Sequence, residues 1–140
     1  MKIKPHVLVV DDQADFRKSI VSLLCSEGFR VSSAASGDAA LEFFEARDAT
    51  DPIDILLLDY RMPGRDGAQT LKALRARGVT ARAILLSSTP GIEMLRTLYG
   101  FDAALAKPCE FEAVVATIRR LHDPRVIPVA ATRRLREVAT

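Results

Sequence analysis

The sequence has no long apolar segment and few cysteines, and both absences narrow the classes of protein that it can encode. No hydrophobic run approaches the roughly 20 residues that cross a bilayer. Residues 1–5 lack the length and the small-residue cleavage site of a secretion signal, so we expect a cytoplasmic protein that does not enter a membrane. The two cysteines, Cys25 and Cys109, lack a metal-type spacing, which predicts reduced, buried or half-buried thiols rather than a disulfide.

A strong charge of either sign is also missing. The 140 residues carry a formal net charge of +2, and this excess lies in residues 123–140, where four arginines accompany two acidic residues. Residues 1–122 are therefore neutral overall, and nothing in them favours direct binding of nucleic acid. Pro124 and Pro128 make the start of the basic extension linker-like. We expect one domain over residues 1–122, followed by the extension 123–140.

The stretch at residues 53–67 combines a buried strand, a carboxylate and a turn. Its apolar residues occupy both alternating positions up to Leu58, which is typical of a strand buried on both faces of a parallel sheet. Asp59 follows directly, and Pro63-Gly64 predicts a turn before the next helix. Because folds of this kind bind ligands at the carboxyl ends of their strands, we interpret Asp59 as the reactive residue.

Strand and helix patterns alternate along the chain. Short apolar runs predict strands at residues 6–10, 30–35, 53–58, 83–86 and 103–106. Between and after them, apolar residues recur at helical spacing; in the first helix these are Phe16, Ile20, Leu23 and Leu24. Five strands alternating with five helices predict an α/β fold, a doubly wound five-stranded parallel sheet with helices on both faces and right-handed crossovers.

Four of the predicted strands end in groups that can take part in chemistry. These groups are Asp11 with Asp12, Asp59, Ser87 and Lys107. At one shared edge three carboxylates repel one another, and an oxygen-liganded Mg²⁺ relieves that repulsion. A carboxylate beside Mg²⁺ can attack a phosphoryl group, whose oxygens a hydroxyl and an ammonium can stabilise. The set predicts phosphoryl transfer to Asp59, assisted by Ser87 and Lys107.

Each of these residues also has a simpler interpretation. The carboxylates can be helix-capping or turn groups, since acids are favoured at helix starts in any case. The lysine can be a solvated side chain at a strand end. Ser87 can be an ordinary turn residue, with Ser88 taking its place in the register. Phosphoryl transfer is preferred because it accounts for all of these residues together.

Taken in order, the motifs resemble the response-regulator receiver domains of bacterial two-component signalling. The matching segments are the acidic pair after VLVV, the segment LLLDYRMPGRDG, the hydroxyl after AILL, and Lys107-Pro108. The resemblance covers about residues 5–122 and implies a CheY-like, flavodoxin-like sheet of strand order 2-1-3-4-5. It implies that a histidine kinase or phosphotransfer protein phosphorylates Asp59. It also implies a cis peptide bond between Lys107 and Pro108.

The same resemblance implies a metal site and an output surface. By analogy, Mg²⁺ would be bound by Asp11, Asp12, Asp59 and the backbone carbonyl of Arg61. The chemistry would be limited to self-catalysed phosphotransfer and autodephosphorylation, so the protein would not be an enzyme acting on a separate substrate. A downstream protein target would bind the face formed by residues 92–121. The domain would be a monomer or a phosphorylation-dependent dimer, and residues 123–140 an extension or the start of a linker to an output domain.

The sequence departs from the family pattern at the switch. The usual aromatic residue of the fifth strand is replaced by Ala104, and the hydroxyl is Ser87 rather than the commoner Thr. Arg61 and Thr89 occupy the two positions that tune dephosphorylation in the family. Ala104 keeps open an alternative function, a phosphorylation-independent (pseudo-receiver) interaction module.

Two other classes of protein fit the pattern less well. A flavin-binding electron carrier shares the predicted topology, but the loop after the first strand is acidic where a phosphate-binding loop should be neutral or positive. A hydrolase with an aspartyl nucleophile needs a substrate cap, and no insertion in the sequence is long enough to form one.

Overall fold

The computed structural model of the chain describes residues 4–47 and 50–130. The strands are β1 (His6–Val10), β2 (Arg30–Ala34), β3 (Ile55–Asp59), β4 (Arg82–Ser87) and β5 (Ala103–Ala106). The helices are α1 (Ala14–Ser26), α2 (Gly37–Glu45), α3 (Gly67–Ala76), α4 (Ile92–Tyr99) and α5 (Phe111–His122). Within these described ranges, no helix has the length and apolar character needed to cross a membrane.

The five strands form one parallel sheet of order β2-β1-β3-β4-β5. The register places Val10 beside Leu58 and Asp59 beside Leu86, so the carboxyl ends of the central strands are level with one another. The predicted flavodoxin-like, doubly wound sheet is confirmed. Its consequence for function is that whatever follows β1, β3, β4 and β5 lies along one edge.

Alternate residues of each strand build two separate cores, one on each face of the sheet. Leu8 and Val10 of β1 face the core under α2 and α3, whereas Val7 and Val9 face the core under α1 and α5. The central strand β3 contributes to both, because Ile55 to Leu58 are all buried. The apolar run that opens the 53–67 stretch is therefore a strand buried on both faces, as predicted.

Two expectations about burial were wrong, and the alternative interpretation of the acidic pair as caps of α1 is excluded. Leu23 is 42% exposed although it was assigned to the core-facing stripe of α1, because Ile20 and Leu24 already fill that stripe. Cys25 and Cys109 are free thiols, but both are exposed rather than buried or half-buried. The acidic pair does not cap α1: the N-cap is Gln13, and the Asp11 carboxylate closes a turn by accepting the Gln13 N–H at 2.8 Å.

The described part of the C-terminal extension contacts the domain. The Arg82 guanidinium donates to the carbonyls of Leu121 and Val126, the latter at 2.6 Å. Val126 packs against the core under α1 and α5, and the Val129 N–H donates to the Asp102 carboxylate at 2.7 Å. Residues 131–140, with three of the arginines of the basic extension, lie outside the described residues.

Candidate functional site

Carboxylates from two neighbouring strands meet at the carboxyl edge of the sheet. Asp11 and Asp12 follow β1, and Asp59 ends β3. One carboxylate oxygen from each of the three lies within 4.8 Å of the others. Three acidic oxygens at this spacing suit a hard divalent cation such as Mg²⁺, which prefers oxygen ligands and retains several waters.

Lys107 brings a positive charge to the same place from β5. Its ammonium nitrogen lies 2.9 Å from an Asp11 carboxylate oxygen and 3.8 Å from an Asp59 carboxylate oxygen. The backbone leading to it is fixed by the Lys107 N–H, which donates to the Ser87 carbonyl at 2.9 Å. The Lys107-Pro108 peptide bond is cis, as predicted. The simpler interpretation of Lys107 as a solvated lysine is wrong, since its side chain is only 16% exposed.

Asp59 lies in surroundings that disfavour its ionised form. Burial raises the pKa of this carboxyl above its usual value, the neighbouring Asp11 and Asp12 raise it further, and the Lys107 ammonium opposes them. The carboxylate is thus surrounded by partners that only partly offset its desolvation and repulsion. A cation placed among the three acids would remove this imbalance, so the residues present fit a magnesium site.

The Ser87 hydroxyl takes part in a short hydrogen-bonded chain at the end of β4. Ser87 is 1% exposed, and its hydroxyl donates to the Thr89 hydroxyl at 3.0 Å while accepting the Thr89 N–H at 3.2 Å. Arg61, in the loop after β3, donates to the same Thr89 hydroxyl at 3.1 Å. The two tuning positions inferred from the family resemblance therefore contact each other, and through Thr89 they reach Ser87. The coordinating role of the Arg61 carbonyl stays a prediction.

No ring occupies the switch position on β5. Ala104 pairs with Leu85 of β4 and is half-buried against the core under α2 and α3. Tyr60, next to Asp59, packs at the border of the same core. Burial raises the pKa of the Tyr60 phenol, and Asp66 and Tyr99 raise it further, Tyr99 also through a hydrogen bond. The two phenols that interact here therefore come from the loop after β3, which begins with Tyr60, and from Tyr99 at the end of α4.

The loop that follows Asp59 is held against the strand by a close backbone approach. The Gly67 N–H donates to the Tyr60 carbonyl at 2.7 Å, and a Cβ atom at Gly67 would lie 2.4 Å from the Asp59 carbonyl oxygen. Asp66 and Gln69 form a capping box that fixes the start of α3 here. The first turn of α3 therefore sets the position of the backbone on which the Asp59 side chain is carried.

The site includes contacts that the strand-end pattern does not reveal. The Phe16 ring of α1 lies under the Lys107 ammonium, 4.0 Å from ring centroid to nitrogen. Arg17 donates to the Asp11 carbonyl at 2.7 Å. The sequence predicts Phe16 only as a member of an apolar stripe. The signal that could point to its contact with Lys107 is its place in the first turn of the helix that follows the acidic pair.

Comparison with known proteins assigns the family. Residues 7–119 match the family model for the response regulator receiver domain, and the chain belongs to this family. It is therefore a receiver domain of the kind found in two-component systems. Nothing in the comparisons favours the alternative of a phosphorylation-independent module.

The chain is similar to both curated regulators and solved receiver structures. It is 37% identical over 118 residues to the transcriptional regulatory protein CpxR of Escherichia coli (strain K12), which covers 82% of this chain and 48% of CpxR. The chain thus spans about half the length of the curated relatives it matches. A Francisella receiver domain superposes with a TM-score of 0.76 at 26% identity, covering 85% of this chain and 97% of that one. Response regulator TrrA from Thermotoga maritima, solved in complex with Mg²⁺–BeF, superposes with a TM-score of 0.72 at 26% identity over 84% and 98% of the two chains.

Proposed function

We propose that this receiver domain accepts a phosphoryl group on Asp59, from a histidine kinase or a phosphotransfer protein, and then loses it by autodephosphorylation. The observation that carries the proposal is the meeting of Asp11, Asp12 and Asp59 within 4.8 Å, with the Lys107 ammonium beside them. A buried carboxylate that lies beside an ammonium and a possible cation site is suited to receiving a phosphoryl group. The ammonium and the cation can offset the negative charge that the phosphoryl group brings.

The metal site proposed here consists of the three carboxylates and the Arg61 carbonyl. Its donors are all oxygens, which matches the preference of Mg²⁺. Burial, together with Asp11 and Asp12, raises the pKa of Asp59, and a cation beside this carboxyl would favour its ionised form. The similarity to TrrA, which was solved with Mg²⁺–BeF, supports the same assignment. When bound, Mg²⁺ would neutralise the acids and polarise the phosphoryl oxygens.

The side chains of the site have separate roles in the transfer. An Asp59 carboxylate oxygen attacks the phosphorus, and a new O–P bond forms as the bond from phosphorus to the donor's leaving group breaks. Lys107, already 3.8 Å from Asp59, offsets the added negative charge on the phosphoryl oxygens. Ser87 contributes a hydroxyl donor after its hydrogen bond to Thr89 is exchanged for one to the phosphoryl group.

That exchange is the proposed origin of the switch. A phosphoryl group adds close to two negative charges, and its demand for donors competes with the bond between Ser87 and Thr89. Arg61 remains bonded to Thr89, so the loop after β4 and the loop after β3 would move together. Ala104 has no ring that could move behind these two loops. The conformational change would therefore reach the surface of the domain through the loop into α4.

The output surface is proposed to be the face formed by residues 92–121. Helix α4 has no fully buried residue, and Met94, Leu98 and Tyr99 are exposed apolar side chains on it. Exposed apolar groups of this size on one short helix are suited to contact with a protein partner. We propose a downstream protein target for this face, with the domain a monomer or a phosphorylation-dependent dimer.

The deciding experiment is phosphorylation by a small donor. Incubation with Mg²⁺ and acetyl phosphate is expected to add the mass of one phosphoryl group to the wild-type chain and none to Asp59→Asn. Asp15→Asn is the matched control, because Asp15 is an exposed acid in the first turn of α1 outside the carboxylate cluster, and it should be phosphorylated like the wild type. Equal labelling of Asp59→Asn, or no labelling of the wild type by acetyl phosphate, would contradict the proposal.

A further inference from the structure

The Lys107 ammonium is enclosed by two acids and one aromatic ring. Its nitrogen lies 2.9 Å from Asp11 and 3.8 Å from Asp59, and 4.0 Å from the centroid of the Phe16 ring. The two acids neutralise the charge of the ammonium, but they do not fix its position. An ammonium on a four-carbon stem can reach a carboxylate from many rotamers. The ring supplies a third, differently placed contact.

Phe16 is held in place by its own helix. It lies in the first turn of α1 and packs half-buried against the core under α1 and α5. Ile20, one turn further along the same stripe, is buried in that core. The beginning of the helix is tied to the acid edge by Arg17, which donates to the Asp11 carbonyl at 2.7 Å. The ring therefore has a fixed position relative to the carboxylates.

The contact between the ring and the ammonium is attractive in its own right. A cation over the face of an aromatic ring, within about 6 Å of the centroid, is drawn to the negative face of the ring quadrupole. An aliphatic side chain would fill the same space without this attraction. Because Lys107 is only 16% exposed, the attraction is less weakened by water than it would be at an open surface.

We propose that Phe16 is a positioning residue for phosphoryl transfer: its ring holds the Lys107 ammonium between Asp11 and Asp59, where the ammonium can meet the phosphoryl group. This inference rests on the proposed phosphorylation of Asp59. It goes beyond that proposal by assigning a function to a residue of α1 whose side chain has no atom that could bind the metal or donate a hydrogen bond to the phosphoryl group.

The first test compares side chains that fill the space with side chains that also offer a ring face. Phe16→Leu is expected to lower the rate of phosphorylation by acetyl phosphate about threefold to tenfold, from the strength of such contacts, and Phe16→Tyr to restore most of it. Phe29→Leu is the matched control, because Phe29 belongs to the same core and its ring faces the Arg119 guanidinium, 5.6 Å from the ring centroid, rather than Lys107. Its rate should match that of the wild type.

The second test changes the ring electrostatics at nearly constant shape. Site-specific replacement of Phe16 by phenylalanines carrying one, two and three ring fluorines withdraws charge from the ring face step by step, and the phosphorylation rate is expected to fall with each step. Unfolding midpoints measured on the same samples should stay level, because packing is retained. This series remains informative even if Phe16→Leu folds poorly.

The outcomes separate this inference from the proposed function. If wild-type chain takes up no phosphoryl group, the proposed function fails and the inference fails with it. If the wild type is phosphorylated on Asp59 but the fluorinated series shows a flat or rising rate, phosphorylation stands and the positioning role of Phe16 is overturned. A stepwise fall, with Phe16→Tyr active and Phe29→Leu unaffected, supports it.

Discussion

The side chain of Asp59 is 11% exposed and faces two other acids and one ammonium. Burial, with repulsion from Asp11 and Asp12, raises the pKa of this carboxyl, and Lys107 only partly compensates. The same surroundings that disfavour an isolated carboxylate favour one that is bound to a cation and a phosphoryl group. The proposed reactivity of Asp59 thus follows from an arrangement that is unfavourable when the site holds only its own acids.

A second buried titratable group lies at the opposite end of the strands. His6 begins β1 and is 7% exposed, and its ring bonds the Ser32 hydroxyl at 2.8 Å. Burial lowers the pKa of this imidazole; Asp51, 3.5 Å away, raises it, and the nearby Arg47 and Arg30 lower it. Burial is the largest of these effects, so the neutral form is favoured in the folded chain.

We predict that His6 makes the domain less stable as pH falls. Its pKa in the folded chain is below the unfolded value of about 6.5, so the unfolded chain binds the proton more readily. The free energy of unfolding should therefore decline as pH drops through about 6.5 and level off below the folded pKa. His6→Gln should remove this part of the slope in urea titrations between pH 7.5 and pH 5, within the range typical for His.

The other histidine provides the control for that measurement. His122 is at the end of α5. His122→Gln keeps His6, so the decline attributed to His6 should persist in this variant. An unchanged slope in His6→Gln would show that the imidazole at position 6 is not the group that titrates.

The acidic pair, Asp59 and Lys107 were predictable because each follows a strand, and parallel strands share one edge. The Phe16–Lys107 contact was not, because it depends on how α1 lies against β5, 91 positions away in the chain. The bond from Arg61 to Thr89 joins two loops whose paths no periodicity specifies. Cys109 is exposed because it also lies in a loop whose path the sequence pattern does not specify. The local sequence pattern thus predicts which residues lie at the carboxyl ends of the strands. Contacts between different helices, strands and loops can be found only from the packed structure.

At the scale of elements, α3 acts as the support for the end of β3. Asp66 accepts the Gln69 N–H at 2.8 Å, and the Gln69 side chain accepts the Asp66 N–H at 2.9 Å. This box fixes where the helix begins, and Gly67, the first helical residue, lies directly against the Asp59 backbone. The cap can be predicted from sequence, but the close approach of the helix to the strand cannot.

We predict that Gly67→Ala destabilises the domain and slows phosphorylation together. Alanine gains up to about 1 kcal/mol over glycine in a helix, but its Cβ would lie 2.4 Å from the Asp59 carbonyl oxygen. Relief requires a backbone shift, and overpacking of this kind costs about 1–3 kcal/mol. Because the shift moves the backbone of Asp59, the acetyl phosphate rate should fall as well, which urea titration and a phosphorylation time course would measure.

Asp66→Ala separates the two effects. It removes the cap, at a cost of about 1 kcal/mol, without placing an atom against Asp59. Its stability should fall while its phosphorylation rate stays close to that of the wild type. Equal losses of rate in both variants would mean that stability, and not the position of Asp59, controls the reaction.

At the scale of the whole molecule, the segment after α5 is attached to the edge of the sheet away from the site. Arg82, at the start of β4, holds the carbonyls of Leu121 and Val126, and Asp102, before β5, accepts the N–H groups of Ala83 and Val129. The same two strands carry Ser87 and Lys107 at their other ends. The path of the chain leaving the domain is therefore fixed to the two strands that lead to Ser87 and Lys107 of the proposed phosphorylation site.

We predict that removal of residues 124–140 lowers the free energy of unfolding by about 2–4 kcal/mol, because it deletes two hydrogen bonds to charged side chains and uncovers the core beneath Val126. Arg82→Met should lower the free energy of unfolding less in the shortened chain than in the full chain, since one of its two acceptors is already absent.

Ile127→Ser is the control, because Ile127 is 70% exposed and its replacement should change the free energy of unfolding little. The shortened chain should still be phosphorylated on Asp59, because the described part of the deleted segment, residues 124–130, is bonded to Arg82 and Asp102 at the other end of the strands. Equal stability of the two chains, with equal effects of Arg82→Met in both, would show that this attachment does not hold in solution.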